Sequence, residues 1–231
     1  MKTQVHYPIA LEKIEHLIVG GVARLMLNVY EENCADLFVD HSPLLNNNIK
    51  IKQENRCLSI YTTGILPAGE DYCIVLHLPR LHHITIKDNA KIEGNYHGKE
   101  LNLLAKGKSY VELLGDVMAT KLHAMDGAKV KLKKFISRHS IVILDDTANA
   151  QIGGKDFLRA RITSKAQLSI IGSPQSIKIE KNNDDKKGIN LQEKDPSFIE
   201  LKTRQKTLQS QVKHTKIYDK KSLKAYLKSI L

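Results

Sequence analysis

Three aspartates stand two residues before an alanine in similar settings: Asp88 before Ala90, Asp126 before Ala128 and Asp146 before Ala148. If the segments that carry them stack as neighbouring strands, Asp126 and Asp146 lie roughly 4.8 Å apart, one strand spacing. Carboxylates that close can bind Ca²⁺, or split their pKa values and serve as an acid–base pair on a polysaccharide. Asp116 and Asp145 are further carboxylates in the neighbourhood. A lyase would also need a base over the same face, and Lys106, Arg161 and Lys165 are only loosely placed for that. A structural explanation competes, because Asp accepts the local bend such a position demands. That explanation is the stronger one, and Asp126 and Asp146 go forward only as weak catalytic candidates.

Ten histidines raise a metal question. His82 and His83 are adjacent, so on a strand they face opposite ways and do not chelate together. His6, His16, His41, His77, His97, His123, His139 and His214 show no ligand spacing such as H-x-x-x-H, so solvated or turn positions are expected and no metal site. No Walker-type G-x-x-x-x-G-K, G-x-G-x-x-G, G-x-S-x-G or C-x-x-C occurs, and no cofactor is expected. Gly20-Gly21 and Gly153-Gly154 read as turns.

The elements that would position the aspartates repeat. "ITIKDNAKIEG" is followed by "LLAKGKSYVELLG", "LHAMDGAKVKL", "VILDDTANAQIGG" and "RITSKAQLSIIG". At their centres stand Ala90, Ser109, Ala128, Ala148 and Ala166, separated by 19, 19, 20 and 18 residues. Six residues before the centre are Ile84, Leu103, Leu122, Val142 and Ala160, and two after it Ile92, Val111, Val130, Ala150 and Leu168. Four residues before and four after, every position is apolar except Gly94. The columns between are mostly polar. Alternation of period two inside a period of about 19 is the mark of a β-solenoid. One coil cannot bury its own inward face, whereas stacked coils bury a continuous aliphatic column. The expected fold is therefore an all-β, single-stranded β-solenoid, right-handed because parallel crossovers are right-handed.

Upstream, residues 5–30 read as two strands about Gly20-Gly21, 35–40 as a third, 49–62 as a strand pair about a polar turn at Gln53–Arg56, and 72–79 as another apolar run. A solenoid domain is expected over 1–179, with recognisable repeats over 81–173. Residues 180–197 read as a polar linker or loop, and 198–231 as a basic segment. Asp219 can cap a helix over about 220–231, with Leu223, Tyr226, Leu227, Ile230 and Leu231 on one face. Such a helix suits the open end of a solenoid. A membrane or acidic-partner surface is the lesser reading for it, and the lack of interleaved aromatics argues against nucleic acid.

Composition agrees with an aliphatic core: 42% hydrophobic residues, no tryptophan and 5% aromatics among 231 residues. Of the net charge of +11, residues 196–231 carry most, with nine Lys/Arg against two acids. No apolar run is long enough for a membrane-spanning helix. The N-terminus shows no basic-then-apolar export pattern, which leaves a cytoplasmic location open. Cys34, Cys57 and Cys73 do not form a disulfide framework. They read as small buried hydrophobes, with one bridge among them left open.

The order of parts is similar to a known family. "LEKIEHLIVGGVARLMLNVYEENCADLFVD", "NNNIKIKQENRCLSIYT" and above all "LPRLHHITIKDNAKIEG" resemble the head GIN domain family of auto-transporter adhesins, over roughly residues 10–175. The resemblance implies a right-handed β-solenoid of a bacterial cell envelope, at the periplasm or cell surface, without a defined biochemical activity. On this reading the outward ladder Lys91, Tyr110 and Lys129, beside Glu93, Glu112 and Lys131, is a surface for a glycan or protein ligand, with self-association compatible. The alternative is a carbohydrate-active enzyme, a lyase or hydrolase, using Asp126 and Asp146 with or without Ca²⁺.

Overall fold

The structure is a computed structural model and describes residues 3–6, 13–30, 35–41, 48–63, 73–163, 165–182 and 189–192. The expected C-terminal helix and basic segment lie outside them. Strands dominate. The first eight are short: β1 (Thr3–His6), β2 (His16–Gly21), β3 (Arg24–Val29), β4 (Asp36–His41), β5 (Ile49–Glu54), β6 (Cys57–Thr62), β7 (Cys73–Leu78) and β8 (His83–Ile86). Four long ones follow: β9 (Lys91–Ala105), β10 (Tyr110–Ala124), β11 (Lys129–Leu144) and β12 (Asn149–Thr163). The series ends with β13 (Gln167–Ile171), β14 (Ser176–Asn182) and β15 (Ile189–Gln192).

The long strands pair in parallel with their successors, one coil on: Tyr110 lies against Lys91, and Ala124 against Ala105. The chain therefore completes a circuit in one repeat. Part of the reversal is the turn around each small residue. The rest must occur inside the strand, where inward–outward alternation lapses around Gly94 and Asn95. Gly94 has φ +149°, and a Cβ there would stand 1.8 Å from the Leu27 carbonyl oxygen. That contact explains why the apolar column holds glycine at this position. We call this bend the second corner. The variable repeat length is absorbed there. The extra residue of the 20-residue step falls at a register shift between the pairs Glu112–Lys131 and Gly115–Phe135, and another shift lies between Leu132 and Ser137.

Inward columns are fully buried aliphatics, among them Ile92, Val111, Val130, Ala150 and Leu168. The β-solenoid with its repeat of about 19 residues is as the alternation predicts. Two features differ from the sequence-based expectation. The stack runs past residue 179: Leu158 and Ala160 pair with Ile177 and Ile179, and Leu168 and Ile170 pair with Ile189 and Leu191. A polar insertion between β14 and β15 hides this continuation in the sequence. The second feature is an additional coil. β2 lies between β6 and β8, all parallel, and β3 lies between β7 and β9. Residues 16–29 thus form a rung directly against 83–96, and the chain then runs outward to lay β6 and β7 beyond it. Antiparallel strands, β5 on β6, β4 on β7 and β1 on β4, close the stack at this end and cover edges that would otherwise be open.

Cys57 is a half-buried free thiol and Cys73 is exposed, both at strand starts where the side chain meets solvent. The expectation of buried small hydrophobes is wrong for Cys73.

Candidate binding flank

Five turns place a left-handed residue two positions before the small one: Gly21 (φ 71°), Asp88 (63°), Gly107 (70°), Asp126 (59°) and Asp146 (56°). Asp tolerates this region better than most side chains. The turns also stack by backbone bonds, with Lys108 N–H to Asp88 O at 2.7 Å, Gly127 to Gly107 at 3.0 Å and Thr147 to Asp126 at 2.9 Å. The carboxylates supply what the backbone does not. Asp88 Oδ2 accepts from Gly21 N–H (2.9 Å), Asp126 Oδ2 from Gly107 N–H (3.1 Å) and Asp146 Oδ2 from Asp126 N–H (3.4 Å). Each aspartate thus caps the left-handed residue of the coil before it. Asp126 and Asp146 are on neighbouring coils, as their spacing predicts, and this geometry gives each a structural task. Asp116 is at the second corner, where His97 Nδ1 meets it at 2.6 Å. Among the described residues no group of three His, Cys, Asp or Glu converges as a cation site would require.

The six residues of the outward ladder do come together. The registers align Arg24, Lys91, Tyr110, Lys129, Asn149 and Gln167 in one column, and Met26, Glu93, Glu112, Lys131 and Gln151 in the next. Tyr110 is the centre. Lys91 Nζ lies 5.2 Å from its ring centroid and Lys131 Nζ 5.1 Å, from the coils on either side. Its hydroxyl donates to Glu112, which sits 3.7 Å from Lys131 Nζ, and Glu93 meets Lys91 at 2.9 Å. Burial, then the bond to Glu112, pushes the Tyr110 phenol above its ordinary pKa. Donation from Tyr110 holds the Glu112 carboxyl below its own. An exposed cation–π contact contributes about 0.5–1 kcal/mol, so the arrangement orders the flank more than it stabilises the fold.

Two polar groupings lie outside the ladder, on or just after the strands that lead into the turns. Asp145 accepts from Thr163 Oγ1 (2.5 Å) and meets His123 Nε2 at 2.8 Å. Thr163 first, and His123 after it, hold this carboxyl below the ordinary aspartate range. His16 Nε2 bonds Thr85 Oγ1 at 3.0 Å and its ring meets that of His83, 5.8 Å between centroids. Burial, with His83 adding to it, lowers the His16 pKa. Ligand-spacing rules miss these groupings because the partners are a coil apart. The repeat register itself would have found the grouping at Asp145, whereas that at His16 depends on the rung of β2 against β8.

No family model matches the chain, and none of the curated proteins does. Solved structures do. A protein of Bacteroides fragilis NCTC 9343 named "putative adhesin" superposes with a TM-score of 0.58 at 12% identity, over 84% of this chain and 97% of that one. The likeness is one of fold. A "putative lipid binding protein" of Parabacteroides distasonis (TM-score 0.46, 13% identity, 82% and 96% covered) aligns too loosely to support an argument. The same holds for a "putative adhesin" of Parabacteroides merdae (TM-score 0.43, 11% identity, 84% and 96% covered).

Proposed function

We propose that this chain is a non-enzymatic, adhesion-like binding module of a bacterial cell envelope, related to the head GIN domain family. It engages a glycan or protein along the flank of Lys91, Glu93, Tyr110, Glu112, Lys129 and Lys131. The observation that carries this reading is the clamp on Tyr110: three consecutive coils hold an aromatic ring, two ammonium groups and a carboxylate in fixed register. A rigid parallel stack presents such groups without the ordering cost that flexible loops incur on binding. The adhesin-named protein of the same fold supports the reading, and so does the structural use of the aspartates on their own backbone.

The test is a screen of the full chain against glycan and envelope-protein arrays, repeated with Lys91→Ala/Tyr110→Ala/Lys131→Ala. The expected result is a ligand whose affinity falls at least about tenfold in the variant, as loss of a central aromatic and its charges implies, with the β-sheet circular dichroism of the parent retained. Binding untouched by the triple change would contradict the assignment of the flank.

A further inference from the structure

Among the described residues, the large apolar side chains most exposed are Met26, Tyr30, Leu114, Met118 and Ile136. Three of them meet at the second corner. Leu114 and Met118 lie on β10 and Ile136 on the next coil, in β11, where it pairs with Asp116. Val117 opposes both Gly98 and Ser137, and Ala119 opposes Glu100 and His139, so Met118 stands level with Lys99 on one side and Arg138 on the other. Ile136 is diagonal to Met118, and Lys134 directly precedes Phe135 at the register shift opposite residues 112–115. Met118 is 47% exposed and Ile136 57%. Lys99, Lys134 and Arg138 make no ion pair among the described residues, and the one carboxylate between them, Asp116, is taken by His97.

We infer that this corner is a membrane-docking ridge: Leu114, Met118 and Ile136 enter the acyl boundary of an anionic bilayer while Lys99, Lys134 and Arg138 meet its phosphates. Scattered single apolar residues need no explanation, but three on adjoining strands at one corner, framed by cations without ion pairs, do. The charge favours an acidic surface. The residue types favour lipid over a protein partner, because protein hot spots are aromatic and flat-sided, whereas Leu, Met and Ile beside flexible lysines suit fluid chains and mobile headgroups. Three aliphatic side chains make a reversible contact, so binding depends on anionic lipid and weakens with salt.

The chain contains no tryptophan, so Ile136→Trp introduces a single reporter at the proposed depth, and Lys52→Trp on β5 is a control far along the stack. With vesicles of phosphatidylcholine and phosphatidylserine, the emission of Ile136→Trp should shift to the blue, and with phosphatidylcholine alone it should not. Lys52→Trp should stay unshifted in both. No shift at position 136, or equal shifts at both positions, overturns the ridge. Met118→Asp/Ile136→Asp in the full chain should reduce co-sedimentation with the anionic vesicles at least about tenfold. Undiminished binding would assign membrane contact to another part of the chain and also overturn it, as would capture by an acidic protein with no affinity for vesicles.

Discussion

At the scale of single residues, the aspartate column shows how a chemically suggestive pattern resolves into backbone physics. Asp88, Asp126 and Asp146 recur because each occupies a left-handed turn and caps an amide one coil away. Asp126→Ala loses both the tolerance of positive φ and the cap on Gly107, and should cost about 1–3 kcal/mol. Asp126→Asn keeps both and should be nearly neutral in a urea melt, so equal losses in the two would contradict the capping role. Asp145 carries a pH signature. Its folded-state pKa is depressed by Thr163 and His123, so its contribution is complete above the unfolded value, about 3.9, and is lost as pH falls through the folded value. Asp145→Asn should therefore be less stable than the parent at neutral pH, with the difference shrinking below about pH 4. Urea midpoints across that range check it, and a difference independent of pH would sink the assignment. The recurrence of the aspartates was legible in the sequence. Their partners were not, because a partner one coil away is visible only once the register is fixed.

At the scale of elements, the coils keep their turns and vary at the second corner. The turns at Ala23, Ala90, Ser109, Ala128 and Ala148 each carry a left-handed residue and stack by backbone bonds, so their length is fixed. The second corner absorbs the 20-residue step as an irregularity near Lys133 and Lys134. Deleting Lys134 should accordingly be tolerated, lowering stability by no more than about 1 kcal/mol, in the range of ordinary surface changes. Deleting Gly127 should unfold the chain or shift every side chain after it to the wrong face. Circular dichroism and a melting curve of the two deletions test this, and similar damage from both would contradict it. Alternation read from the sequence located these strands well. It placed the end of the stack too early because Lys181–Gly188 interrupts the period. It also passed over the rung at Ala23, although Leu17, Val19, Leu25 and Leu27 occupy the same columns as the later repeats. That copy lies 67 residues before Ala90 rather than 19, and a search at fixed period does not reach it.

At the scale of the molecule, the order of coils in space departs from their order in the chain. The rung of β2 and β3 is inserted between that of β6 and β7 and that of β8 and β9, with hydrogen-bonded neighbours on both sides. Such a closure is non-local, and it makes residues 16–29 part of the interior of the stack rather than a fraying edge. Short-range signals in the sequence cannot reveal it, since strand type is set locally and strand neighbour is not. Tyr30 stacked on His97 at 5.5 Å and Asp88 on Gly21 both depend on this placement. Amide hydrogen exchange followed by mass spectrometry measures it directly. Residues 16–29 should exchange as slowly as 110–124, and far more slowly than the hairpin strand 49–54 at the edge. Exchange over 16–29 as fast as at that edge would contradict the inserted rung, and with it the stack described here.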